Sequence, residues 1–289
     1  TYAGKVFLID TKIMPFFKNM PINTIEPSTI RRWQNALMDD KNNYSPTYLK
    51  TIHNQITAIL NFAVKYYKLP SNPARICGSI GRKNASAMQF WTLQEFNRFL
   101  PQLAHKPMSK MMFELLFWTG VRSGELLALT ANDFDFQAKT LSINKNYARH
   151  AGTDLIMLPK TPRSTRVISL PVFICESVQA YISSLYDYQP DQRLFPVTKS
   201  FLQHEMIRAT SKAGLKRIRV HDLRHSHASM LIEEGFSALL ISERLGHENI
   251  ETTLLTYSHL YPNKQIEVAN RLDQMRQSPR KKRSNDLER

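Results

Sequence analysis

Residues 221–257 read HDLRHSHASMLIEEGFSALLISERLGHENIETTLLTY, and no other stretch of the chain is as dense in side chains that can act on a phosphate. His221 and Arg224 stand three apart, so a helix carries them on one face. Leu223, Met230, Leu231 and Ile232 give that helix an apolar side, and Gly235 sits where a helix closes in the left-handed conformation. Ser237 is placed to cap a second helix over 238–245, which Gly246 ends, with His247 in the turn that follows. Glu251, Thr252 and Thr253 open a third helical segment that carries Tyr257. The pattern is three short helices with reactive groups gathered at their starts and turns.

These residue types answer one chemical problem. A phosphodiester repels nucleophiles because its non-bridging oxygens are negative. Arginine grips both oxygens with a planar fork that stays charged. Histidine donates to the same oxygens and moves protons near neutral pH. Tyrosine is a nucleophile whose phenol titrates near pH ~10, so it needs a base or neighbouring cations to attack at neutral pH.

The stretch resembles the carboxy-terminal signature of the tyrosine recombinase (phage integrase) family. There an HxxR pair, a later GH and a tyrosine about ten residues on make most of the active site; here they are His221, Arg224, His247 and Tyr257. An upstream arginine is matched by Arg122 in TGVRSGELLAL, and a hairpin lysine by Lys160 in LPKTPRSTRVISLP. A lone HxxR carries little information, but several blocks in the family's order between residues 92 and 265 are a specific signal.

The resemblance implies both mechanism and fold. Tyr257 attacks a DNA phosphodiester and is left as a 3′-phosphotyrosine while a 5′-hydroxyl departs. Arg122 and Arg224 hold the non-bridging oxygens, His247 donates to one of them, and Lys160 protonates the leaving oxygen. His221 assists near Tyr257 as proton acceptor or orienting donor. No cofactor and no metal are called for. The expected fold is mainly α with a small antiparallel β-sheet: a helical core-binding domain followed by an α+β catalytic domain.

The rest of the chain fits a DNA partner. Its 289 residues carry 39 Lys+Arg against 24 Asp+Glu, a formal net charge of +15. That length points to two domains, and that charge to a polyanion. Cys77 and Cys175 are far apart and lack metal spacing, which reads as reduced cytosolic thiols; the resemblance implies the cytoplasm of a bacterial cell, nucleoid-associated when active. No run of ~18 apolar residues predicts a membrane span, and no signal peptide is legible. The first residue is Thr1 rather than Met, as in a processed piece.

Residues 1–78 read as a bundle of helices, the core DNA-binding domain. Pro15 and Pro21 interrupt the first segment; Ile30, Trp33, Leu37 and Met38 form one stripe. Ile52, Ile56, Ile59, Leu60, Ala63 and Val64 form the inner face of the longest helix, whose polar Lys50, His53, Asn54, Gln55 and Lys65 can face DNA. Residues 79–91 read as an interdomain linker, with Arg82 and Lys83 available to phosphate.

A catalytic domain over 92–276 opens on a capping box, Thr92 with Glu95. An apolar helix then delivers Arg122 at the turn after Gly120, with Glu125 either in a salt bridge with Arg122 or orienting an active-site side chain. Residues 140–171 alternate as a three-stranded antiparallel sheet, with turns at 150–153 and 162–164. Lys160 precedes the second turn, and Lys145 on the first strand is its rival. Lys212, Lys216, Arg217 and Arg219 form a basic run with few acids near it in sequence, suited to tracking phosphate. His221 and His225 are four apart, as in zinc sites, but no glutamate stands between them as in HExxH and Arg224 opposes a dication; His225 and His227 read as packed or hydrogen-bonded. A short amphipathic helix over 261–275, with Tyr261 a second tyrosine, and a basic tail over 277–289 complete the chain.

The resemblance further implies double-stranded DNA attachment sites as partners and a homotetramer coupled through the terminal helix. An excisionase and a host DNA-bending protein belong to the same expectation. The wording IETTLLTYSHLYP is similar to integrases of phages and mobile elements in Gram-positive bacteria, whose amino-terminal arm-binding domain is expected to be missing here. Two other classes compete: a DNA-binding regulator without chemistry, and a type IB topoisomerase. The first forms no protein–DNA adduct; the second relaxes supercoils without paired sites.

Overall fold

The structure is a computed structural model that describes residues 2–39, 43–82, 89–150, 152–159, 161–258, 269, 270 and 272. It falls into two compact units, residues 1–88 and 89–289. It is mainly helical with small antiparallel sheets. Among the described residues no helix is long and apolar enough to cross a membrane.

The first unit is built from α1 (Tyr2–Leu8), α2 (Met14–Phe17), α3 (Pro27–Met38), α4 (Pro46–Tyr66) and α5 (Pro73–Cys77). Pro15 does not break the first segment. It offers no N–H, and the chain passes it through a π-helical turn, Ile9–Ile13, while the indole of Trp33 donates to the Lys12 carbonyl at 2.9 Å. Prolines begin α3, α4 and α5, where a missing N–H costs nothing, and Ser45 and Asn72 cap the latter two. Ile30, Trp33 and Leu37 pack with Ile52, Ile56, Leu60 and Ala63, whereas Met38 ends its helix exposed. His53 is buried in this core against Gln34, 3.3 Å away, and does not face solvent with Asn54. The inner face of α4 turns it inward one position beyond Ile52.

The second unit contains α6 (Leu93–Phe99), α7 (Pro107–Thr119), α8 (Ser123–Leu126), β1 (Phe134–Asp135), β2 (Thr140–Ile143), β3 (Asn146–His150), β4 (Thr153–Met157) and β5 (Arg166–Ser169). It continues through α9 (Val172–Ser183), α10 (Lys199–Ala213), α11 (Asp222–Glu233), α12 (Ala238–Leu245) and α13 (Ile250–Tyr257). Thr92 and Glu95 close the expected capping box. The apolar α7 is buried along most of its length, with Phe117 stacked on Phe96 at 3.9 Å.

The strands differ from the single three-stranded sheet expected over 140–171. One sheet has the order β1-β2-β5; β3 and β4 form a separate hairpin. The chain leaves the first sheet at Asn144-Lys145, where Lys145 binds Asp133 at 2.8 Å; β2 already has β1 on one side and β5 on the other, so β3 pairs with β4 instead. In the first sheet Leu141 faces Ile168 and Ile143 faces Arg166. Side chains two apart share a sheet face, so Arg166 points inward with Ile168 while Val167 is exposed.

The expected terminal helix over 261–275 and tail over 277–289 lie almost wholly outside the described residues; only Ala269, Asn270 and Leu272 of that helix are described, and they are helical.

Candidate active site

Three turns converge on one point. The first follows α7. Gly120 takes the left-handed conformation, φ +66°, where a Cβ would lie 2.7 Å from the His227 ring and 2.8 Å from Leu245. Only glycine admits that approach. Two residues on, Arg122 caps α8, its N–H bonded to Glu125 Oε2 at 2.8 Å and its guanidinium to Oε1 at 2.7 Å. Glu125 is therefore paired with Arg122.

Glu125 is buried and is shared between two arginines. Arg166 reaches it from β5 through two hydrogen bonds, 3.1 Å to Oε1 and 2.9 Å to Oε2. Burial pushes the Glu125 carboxyl pKa up, but the Arg166 hydrogen bonds and the Arg166 and Arg122 charges outweigh it, leaving it below the ordinary value. Arg166 also donates to the carbonyls of Arg244 and Ser164.

The second turn ends α12. Gly246, φ +64°, lets the helix terminate with two carbonyls aimed at the site. Leu245 O accepts from Arg224 at 2.6 Å, and Gly246 O accepts from Arg122 at 3.1 Å. The other arm of Arg224 donates to Gly120 O at 2.8 Å. Arg224 is buried; its desolvation and then the nearby Arg122 charge lower its pKa to about 9, so it remains cationic at neutral pH.

The third turn carries His247, whose Nδ1 lies 2.7 Å from Thr253 Oγ1 on α13. Burial first, then Arg224, Arg122 and Arg166, press its pKa down to about 3. His247 is thus neutral, and in the tautomer whose Nδ1 accepts from Thr253 the ring proton sits on Nε2. Tyr257, also on α13, is buried with its hydroxyl 2.6 Å from Nδ1 of His225. Burial raises the phenol to about 12 against the opposing charge of Arg224. His221, the N-cap of α11, is exposed and stands edge to face with His225 at 5.3 Å.

Arg122, His221, Arg224, His247 and Tyr257 are therefore brought into one electrostatic neighbourhood, with Glu125 beneath. A cavity of about 420 Å³ opens at Arg122, Glu125, Asn146, Ser164, Lys199 and Gly246. Lys160 lies outside the described residues, but its neighbours Pro159 and Thr161 line that cavity. The rival Lys145 is engaged elsewhere, by Asp133 and Thr130.

The candidate DNA contacts divide. In the first unit Asn54 and Arg82 are exposed and Lys50 bonds Ser79 at 2.7 Å; Lys83 is outside the described residues. In the second unit Lys212 and Arg217 are exposed. Lys216 pairs with Glu95 at 3.4 Å and Arg219 with Asp222 at 2.7 Å, so the basic run is less free of acids in space than in sequence.

Sequence reasoning missed Arg166, His225, Thr253 and Lys199 as members of the site. For Arg166 the signal was present: the alternation of TRVISLP places it on the same face as Ile168. His225 was read only as a packed or hydrogen-bonded histidine, and nothing in its spacing names the phenol it meets.

A profile of the phage integrase family matches residues 88–264, and one for the phage integrase amino-terminal SAM-like domain matches residues 1–38. The ICEBs1 integrase of Bacillus subtilis (strain 168) is 28% identical, over 95% of this chain and 77% of that protein. The integrase of Staphylococcus phage L54a is 24% identical, over 89% of this chain and 82% of that protein. In fold, the chain is similar to the Tn1549 transposon integrase in complex with a circular intermediate DNA, with a TM-score of 0.80 at 19% identity, covering 96% and 93% of the two chains. A dimer of a lambda integrase fragment bound to a COC′ core site gives a TM-score of 0.63 at 17% identity, covering 87% and 88%.

Proposed function

Since the chain belongs to the phage integrase family of tyrosine recombinases, we propose that it is a site-specific recombinase that cuts and rejoins double-stranded DNA through Tyr257, moving a phage or mobile element into and out of a chromosome. The observation that carries this reading is the convergence of Arg122 and Arg224 on the adjacent carbonyls of Gly246 and Leu245, with Tyr257 within the field of Arg224.

The chemistry follows from the groups. The two guanidiniums hold the non-bridging oxygens of the scissile phosphate, and Nε2–H of His247 donates to one of them. Tyr257 Oη bonds to phosphorus in line with the departing 5′-oxygen, which takes a proton from Lys160. The 3′ end stays attached to Tyr257 until a 5′-hydroxyl from the partner duplex reverses the step. One phosphodiester replaces another of similar energy, so the exchange needs no nucleotide hydrolysis. Residues 1–78 embrace the duplex, 79–91 join them to the catalytic residues 92–276, and four copies assemble on paired sites. An excisionase and a host DNA-bending protein set direction.

The test is a duplex carrying a candidate attachment sequence with a nick beside the cleavage position. The short fragment bearing the freed 5′-hydroxyl diffuses away, so rejoining fails and the covalent complex accumulates, which a denaturing gel resolves. Wild-type protein is expected to give the adduct; Tyr257→Phe is expected to bind the same duplex and give none. An adduct that survives in Tyr257→Phe overturns the assignment of the nucleophile.

A further inference from the structure

The tyrosine must lose a proton to attack, and burial works against that loss: the phenol is raised to about 12. Some neighbouring base must take the proton as the new bond forms. Among the described residues, the side chain hydrogen-bonded to Tyr257 Oη is His225, at 2.6 Å. His221, the histidine expected for this task, stands beside Arg224 and Arg122 in edge contact with His225, and the hydroxyl of Tyr257 is bonded to His225 instead.

From this geometry we infer that His225 is the group that receives the phenolic proton of Tyr257 during strand cleavage and returns it during rejoining. The inference rests on Tyr257 being the nucleophile. In the forward step the Oη–H bond breaks and the proton passes to His225 Nδ1. The Oη–P bond forms, the P–O5′ bond breaks, and the 5′-oxygen is protonated by the general acid. Rejoining runs the same transfers backwards, and no other reactant is consumed.

The surroundings of His225 suit the role. Burial first, then His221, Arg224 and Arg219, hold its pKa down to about 4, with Asp222 pulling the other way. The ring is therefore neutral at working pH, with Nδ1 free to accept when the proton sits on Nε2. Full transfer between the resting groups is uphill, so the proton moves only as Oη bonds to phosphorus and the phenol becomes acidic. The incoming phosphate anion also raises the basicity of a ring ringed by cations. Helix geometry fixes the partnership: His225 lies on α11 next to Arg224, so the arginine that grips phosphate and the histidine that meets the nucleophile are set by one backbone.

The test uses the full chain and the nicked duplex, with single-turnover cleavage measured from pH 6 to 9. Wild type is expected to show a nearly flat rate. His225→Phe keeps the ring volume but cannot accept a proton; it is expected to cleave ~10²-fold more slowly at pH 7. Its rate should then climb about tenfold per pH unit, because hydroxide must deprotonate the phenol. His225→Gln, which preserves a hydrogen bond but not the base, is expected to show the same slope. A 5′-bridging phosphorothiolate substrate, whose leaving group needs no proton, should rescue Lys160→Ala and leave His225→Phe slow. A His225→Phe profile as flat and fast as wild type overturns the inference, as does a hydroxide-dependent slope found only in His221→Gln. Failure of wild type to form any adduct, or an adduct in Tyr257→Phe, instead removes the reading beneath it. Melting curves of both variants separate a lost fold from a lost base.

Discussion

At the scale of single residues the site is governed by one buried carboxylate and two guanidiniums that share it. Removing Arg166 leaves Glu125 buried with Arg122 alone, and breaking such a pair costs about 3–5 kcal/mol. Arg166→Met is therefore expected to lower the urea midpoint strongly, and Arg166→Met with Glu125→Gln together to recover part of that loss by removing a buried carboxylate that Arg122 alone compensates. Stability should also depend on acid. His225, His227 and His247 have folded pKa values of about 4, 3 and 3, below the 6.5 of an unperturbed histidine. Between those values the unfolded chain binds protons that the folded chain refuses, so stability falls as pH drops from 6.5 towards 3. The lowered Glu125 carboxyl acts in the same direction at the acid end, since its contribution is lost as pH falls through its folded pKa. Melting temperature measured from pH 7 to pH 4 is expected to decline, and His227→Gln to flatten the slope by about one proton. A melting temperature that holds constant across that range contradicts this account.

At the scale of elements the caps were the most legible feature. Thr92 with Glu95, Ser237 and Gly246 mark helix ends in the sequence because the first and last turns of a helix leave backbone groups that only certain residues satisfy. The α12 boundaries follow directly from them. The strands were harder. Residues 140–157 alternate well enough to be read as strands, but no local signal says that β3 abandons β2 for β4; that both edges of β2 go to β1 and β5 is decided by tertiary pairing. The π turn before Pro15 is likewise invisible locally, since it relies on Trp33 donating from another helix. For the site, the motif residues were readable by type and spacing, while Arg166 and His225 gain meaning only when β5 meets α8 and α11 meets α13. Gly246 gives the prediction at this scale. A Cβ there would lie 2.9 Å from both Arg163 O and Arg166 Cδ, in a backbone region where side chains are strained. Gly246→Ala is expected to destabilise by about 1–3 kcal/mol and to depress cleavage more than DNA binding. Equal loss of both, in step with unfolding, would show the glycine serves stability alone.

At the scale of the whole molecule each unit holds its own hydrophobic cluster, one drawn from residues 8–80 and the other from 91–223. Residues 89–289 expressed alone, which keep the buried Trp91, are expected to unfold in a single cooperative transition. With a net charge of +15, the full chain should bind duplex DNA with a steep salt dependence. About 6–10 phosphate contacts correspond to a 10³–10⁵-fold loss of affinity between 50 and 200 mM salt. The isolated 89–289 piece should show a shallower slope in the same titration; equal slopes would mean that the first unit makes no phosphate contacts. Arg122 and Arg224 come from places a hundred residues apart, yet both are moored to consecutive carbonyls at the end of α12. Neither can drift without tugging the same helix end. Whatever leans on α12, a neighbouring copy or the duplex itself, would work both grips with a single lever, engaging or releasing the anion in one stroke.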